Sequence, residues 1–200
     1  MDTFDAIRSR RSVKNFDKNH TMSKKEINQL LETAILSPTS YNIQNWRFVT
    51  VTDQKIKDKL SELSYGQKQV ADASLVIILC ADLNSWNKNP ERYWVNAPEE
   101  MRKVLLAGIK NSYSNNPQHQ RDEAMRSCSF AAQTIMLAAK AMGYDTCPME
   151  GFDYTKVGEL INIPDDHIIT MMVVVGKAIA PASPRGGQLP LSEVVFENSF

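Results

Sequence analysis

Seven consecutive residues, Arg8, Ser9, Arg10, Arg11, Ser12, Val13 and Lys14, place four cations and two hydroxyls beside the end of a short N-terminal helix. Arginine presents planar, multi-pronged donors that match phosphate oxygens, serine adds further donors, and lysine adds a mobile point charge, so the group is suited to holding an anion. A phosphate-bearing ligand is one reading; a solvated basic patch or a weak nucleic-acid contact is the other. A second polar stretch runs Ser37, Pro38, Thr39, Ser40, Tyr41, Asn42, Ile43, Gln44, Asn45, Trp46. Carboxamides donate and accept together, which a heterocycle with mixed donor and acceptor edges requires and neither a phosphate nor a metal needs. The same composition is also ordinary turn chemistry.

The elements that must carry these residues follow from spacing. Phe4 and Ile7 give the first helix an apolar edge. Ser23 and Glu26 form a capping-box pattern ahead of Ile27, Leu30, Leu31, Ala34 and Ile35, which recur at helical spacing until Ser37 and Pro38 end the run. Residues 47–52 read as a strand. Asp53 caps a helix bearing Ile56, Leu60 and Leu63, and residues 75–80 read as a buried strand. Residues 84–122 change character, with Trp86, Tyr93, Trp94 and Tyr113 around a helix over 99–109, and read as an excursion from the core. Residues 125–142 form a helix almost without charges, to be covered on every face and ended by Gly143. A short strand and turn at 147–151, a helix capped by Asp153, and a last buried strand over 168–175 complete the core. In the tail from Ala178, the segment Leu189 to Val195 has enough β character to join a sheet edge, including a partner's. No linker divides the chain, so one domain is expected over residues 1–200.

Composition narrows the function. Lys plus Arg and Asp plus Glu each total 23, so there is no domain-wide basic excess of the kind that tracks a nucleic-acid backbone. Cys80, Cys128 and Cys147 show no C-x-x-C pair, and His20, His119 and His167 show no metal spacing, so neither a disulfide framework nor a metal site is expected. Signatures of nucleophile-elbow hydrolases, P-loops and dinucleotide folds are missing as well. The N-terminal residues have no secretory pattern, and the apolar runs fall far short of the roughly 20 residues a bilayer requires, so the expectation is a cytoplasmic chain without a membrane span.

The motifs RSRRSVKNFD, SPTSYNIQNWRF from Ser37, PMEGFD from Pro148, and Arg185 followed by LPLSEVV occur in an order that resembles the nitroreductase family of flavin mononucleotide (FMN) enzymes. The resemblance spans almost the whole chain. It implies an α+β fold, a mostly antiparallel central sheet flanked by helices in an intertwined homodimer, with FMN at the subunit interface and NADH or NADPH as co-substrate. It also implies that Arg10, Arg11 and Ser12 hold the ribityl phosphate with help from Arg185, and that Lys14 lies near the flavin pyrimidine. The turn at Pro38 and Thr39, with Ser40, Asn42 and Gln44, would reach the flavin from the other subunit. Met149, Glu150 and Gly151 would lie against the isoalloxazine, with the Glu150 backbone near N5, so that no side chain acts as acid or base. The implied acceptors are nitroaromatics, quinones or similar electron-poor molecules, under a roof formed by residues 84–122 where Trp94 and Tyr113 are candidates to stack. Relatives that reduce flavins or enoates, remove halogen, or bind flavin with little turnover supply the alternatives. Three departures stand out. Asn45 replaces a proline before Trp46, Gln69 stands where some members carry a lysine facing the flavin, and Gly186 and Gly187 are inserted after Arg185.

Overall fold

The computed structural model describes residues 1–200. At its centre lie β1 (Trp46–Val51), β2 (Leu75–Asp82), β3 (Asp145–Met149) and β4 (His167–Gly176), paired antiparallel in the spatial order β1-β2-β4-β3. Every residue of β2 is buried, which requires cover on both faces of the sheet. Strand alternation sends Leu75, Ile77, Leu79 and Ala81 to one face, where they meet α2 (Lys24–Ala34) and α6 (Pro117–Ala141). Val76, Ile78 and Cys80 go to the other, against α3 (Gln54–Leu63), α4 (Lys68–Asp72) and α7 (Tyr154–Leu160). A register shift between Leu79 and Cys80 is steadied by the Thr170 hydroxyl, which donates to the Leu79 carbonyl at 3.0 Å. The result is the expected α+β architecture, an antiparallel sheet between helical layers. No helix is long and apolar enough to cross a membrane.

Local signals explain most helix ends. Ser23 and Glu26 form a reciprocal capping box at the start of α2, and Asp53 and Asp153 cap α3 and α7 through their side chains. Gly143, at φ +79°, takes the left-handed turn after α6 and lets Tyr144 N–H donate to the Ala139 carbonyl at 2.8 Å.

Other expectations need correction. α6 begins at Pro117, well before residue 125, because the Asn116 side chain accepts from His119 N–H and Pro117 fits a first helical turn. The excursion is therefore shorter than 84–122; it holds a 3-10 turn, Pro90–Trp94, and α5 (Glu99–Tyr113). α4 was not anticipated. Only Ala6 of α1 (Thr3–Ser9) is buried, and the edge formed by Phe4 and Ile7 faces outward. α6 is covered along Ala124, Cys128, Ala131, Ile135 and Ala139, whereas Phe130 is half exposed. Leu189 to Val195 pairs with no strand of its own chain and contains a single helical turn, α8 (Leu191–Val194).

Candidate functional site

The residues singled out by type fall into two groups. The first gathers along β3. Arg10 ends α1, and its Nη1 is buried without a hydrogen-bond partner. A cationic nitrogen left so is costly until an acceptor reaches it. Arg11 folds back on the helix, Nη1 donating to the carbonyls of Arg8 at 2.7 Å and Arg10 at 2.9 Å. Ser12 then lies beside Thr146 as a parallel bridge, with Val13 N–H donating to the Thr146 carbonyl. Burial pushes the Cys147 thiol up, and the charges of Lys14 and Arg10 nearby pull against it. Lys14 itself is exposed. Arg185 reaches this group despite the inserted glycines; its Nη2 donates at 3.3 Å to the carbonyls of Ile7 and Arg10, the open C-terminal end of α1.

At the far end of β3, Met149 is buried while Glu150 and Gly151 are exposed. Their two backbone N–H groups donate to nothing within the chain. Gln67, which sequence reasoning passed over, donates from Nε2 to the Gly151 carbonyl at 2.8 Å and accepts from Gln69 Nε2 at 2.8 Å. Gln69 is thereby tied to the turn that follows Met149.

The second group is the loop ahead of β1. Pro38 is exposed and Thr39 Oγ1 accepts from Gln44 N–H at 3.0 Å. Tyr41, Asn42 and Gln44 have φ of +48°, +53° and +44°. Asparagine tolerates that region; tyrosine and glutamine adopt it only under constraint. The constraint is visible. Ser40 N–H donates to Glu123 Oε1 at 3.0 Å, Asn42 Nδ2 to the Tyr93 carbonyl at 2.9 Å, and Trp94 Nε1 to the Tyr41 carbonyl at 3.0 Å. Arg47 Nη1 donates to the Gln44 and Trp46 carbonyls, both at 2.8 Å, while its Nη2 meets the buried Asp82 carboxylate at 3.2 Å. Lys88 bridges Asp82 and Asp166, and His167 Nδ1 lies 2.7 Å from Asp166, so Lys88 first and His167 second hold the Asp166 carboxyl well below its usual range. The contacts to Glu123, Tyr93, Trp94 and Asp82 join residues 83, 51, 53 and 35 positions apart, which is why spacing did not expose Glu123 or Asp82.

Of the two aromatic candidates, Trp94 is half buried and its indole is committed to the loop. Tyr113 is only 1% exposed, stacked near Trp86 and edge-on to Tyr41, and burial pushes its phenol up to about 12. It has no face to offer an acceptor, so the stacking expectation fails for Tyr113. A cavity of about 380 Å³ opens beside the loop at Gln44, Arg47, Arg92 and Tyr93. The cavity of about 440 Å³ lined by Arg121, Met125, Tyr154, Ile163, His167 and Thr170 contains none of the residues expected to act.

The loop leads into β1 and the basic cluster flanks β3, and these are the two opposite edges of the sheet. Three strand spacings, roughly 14 Å, separate them across the sheet.

Residues 7–177 match the model of the nitroreductase family. This chain belongs to that family. Protein DrgA of Synechocystis sp. is 49% identical to it, the match covering 98% of this chain and 95% of that protein. An oxygen-insensitive NADPH nitroreductase of Helicobacter pylori is 31% identical over 95% of this chain and 94% of its own length. Among solved structures, a protein from Exiguobacterium sibiricum assigned as a nitroreductase, crystallised in complex with FMN, superposes with a TM-score of 0.91 at 29% identity, covering 98% of this chain and 97% of that one. The family's matched span contains the basic cluster, the strained loop and the turn after β3, but not Arg185.

Proposed function

We propose that this nitroreductase-family protein is an FMN-dependent NAD(P)H oxidoreductase whose sites form between two copies of the chain. The observation that carries the reading is the unpartnered, buried Arg10 Nη1 on one sheet edge and the polar loop on the other. Each suits a different end of one cofactor, and a second copy brings the two ends together. The residues fit FMN: a cationic donor without an acceptor suits a phosphate, and two free N–H groups at Glu150 and Gly151 suit the flavin ring.

Bound FMN supplies the hydride chemistry at its N5, between NADH or NADPH and an electron-poor acceptor such as a nitroaromatic or a quinone. Arg10, Arg11 and Ser12 anchor the phosphate, and Arg185 steadies the end of α1 that presents them. Lys14 sets a fixed positive charge beside the pyrimidine, where negative charge gathers during turnover. Ser40, Asn42 and Gln44 bind the cofactor from the partner copy, and the Glu150 and Gly151 backbone orients the ring. Gln69, neutral where some family members hold a cation, leaves less positive charge near the ring. One open face serves donor and acceptor in turn, which gives ping-pong kinetics.

The test is an absorption spectrum of the purified protein before and after anaerobic NADH, then NADPH, followed by an acceptor panel of nitroaromatics, quinones and enones. A yellow protein that releases FMN, is bleached by a nicotinamide nucleotide, and shows parallel double-reciprocal lines with a nitroaromatic or quinone supports the reading. A colourless protein that neither takes up FMN nor oxidises NAD(P)H overturns it. Turnover confined to enones would move the assignment to double-bond reduction.

A further inference from the structure

The loop from Ser40 to Gln44 stores strain that its own sequence does not explain. Three of its five residues sit at positive φ and none is glycine. Such a conformation persists only where the surroundings over-determine it. Two of the surroundings are unusual in themselves. Glu123, on the second turn of α6, is 5% exposed, and its Oε1 accepts from both Ser40 N–H at 3.0 Å and Ser127 Oγ at 2.9 Å. Its other oxygen accepts from Arg126 Nη1 at 2.8 Å, a side chain that is half exposed. A carboxylate is seldom buried unless its lone pairs are committed. Here one of those commitments is to the backbone of the loop. Gly108 lies in the interior of α5, where glycine is a poor helix former. A Cβ there would come within 2.9 Å of Tyr41 Cε1 and 3.1 Å of its hydroxyl. The Tyr41 ring lies against α5, edge-on to Tyr113 at that helix's end, so a side chain at 108 would displace the ring of a residue whose backbone is already at φ +48°.

We propose that Glu123 and Gly108 are positioning residues that hold the Ser40 to Gln44 loop in the shape in which it meets FMN. Glu123 grips the loop's first N–H from α6, and Gly108 opens the slot that seats the Tyr41 ring. The helices α5 and α6 thus brace the cofactor site together. This rests on the reading of the loop as an FMN contact.

The experiment compares Glu123→Ala, Glu123→Gln, Gly108→Ala and Asn42→Ala in the full chain. FMN is stripped from each and returned by titration, with Kd read from flavin fluorescence and the visible circular dichroism of the bound flavin recorded at saturation. Glu123→Ala leaves the half-buried Ser40 N–H without its acceptor and should raise Kd about tenfold or more. Glu123→Gln keeps an oxygen on Ser40 N–H and should restore Kd to within about threefold of the parent. Gly108→Ala should weaken FMN and alter the dichroism even at saturation. Unchanged Kd and dichroism in Glu123→Ala and Gly108→Ala, with Asn42→Ala weakened, would overturn the positioning role alone. Unchanged binding in Asn42→Ala as well would overturn the loop's assignment to FMN and the proposal with it. Should Glu123→Ala not fold, Gly108→Ala and the Gln variant decide the matter.

Discussion

Arg10 is where a single side chain has most to gain from a ligand. Its Nη1 is enclosed and unsatisfied, whereas the guanidinium of Arg11 already donates to two carbonyls. The two arginines should therefore respond differently. One charge-assisted contact to phosphate contributes about 1.5–3 kcal/mol, so Arg10→Ala should raise the FMN Kd by at least about tenfold in a protein that still folds. Arg11→Ala should cost less, and fluorescence titration of the two apoproteins checks the order. The basic stretch and the carboxamide-rich loop were legible as residue types in sequence, and the family resemblance implied the roles of Arg10, Ser12, Asn42 and Gln44. The contacts that fix the loop were not legible, because Glu123 lies 83 positions from Ser40 and Asp82 lies 35 from Arg47. Periodicity and spacing report neighbours along the chain, and these partners become neighbours only when the sheet forms.

Among the elements, α2 shows how local code and tertiary contact reinforce each other. Glu26 closes the capping box through Ser23 and also accepts from Tyr144 Oη at 2.7 Å, just beyond the end of α6. Hydrogen bonds from the Ser23 side chain, then Tyr144 and the Ser23 backbone, lower the Glu26 carboxyl from 4.5 to about 2. A depressed folded-state pKa stabilises above the unfolded value and is lost as pH falls toward the folded one. The contribution of Glu26 should therefore be complete at pH 7 and fade between about 4.5 and 2. Urea denaturation at pH 7 and pH 3 should show a smaller pH-dependent loss for Glu26→Gln than for the parent. The caps at Ser23, Asp53, Gly143 and Asp153 were readable because each acts within a few residues. The first turns of α6, PQHQRDE, carry no apolar period, so its start was placed eight residues late. α4 has only five residues, too few to show a period. Residues 189–195 had β character, but pairing needs an edge, and no strand of their own chain takes them.

At the scale of the whole molecule, the proposed division of the site between two copies of the chain makes a direct prediction. In mixed dimers of Arg10→Ala and Asn42→Ala chains, one site carries both lesions and the other carries neither. Such dimers should bind close to one FMN with parental affinity, whereas each homodimer binds weakly at both sites. If the two residues served the same site from the same chain, every site in the mixture would be impaired and nothing would be recovered; isolated heterodimers carrying two different tags distinguish the outcomes. The outward edge of α1 at Phe4 and Ile7 and the half-exposed Phe130 on α6 are apolar surface that a second copy can cover. The separation of the two edges reaches further than geometry. If two copies clasp the FMN as proposed, its retention is tied to their encounter, and dilution should strip flavin from the protein even when free FMN is held constant. By the same linkage, surplus FMN should lower the concentration at which subunits part. The colour of a preparation would then report how crowded its chains are.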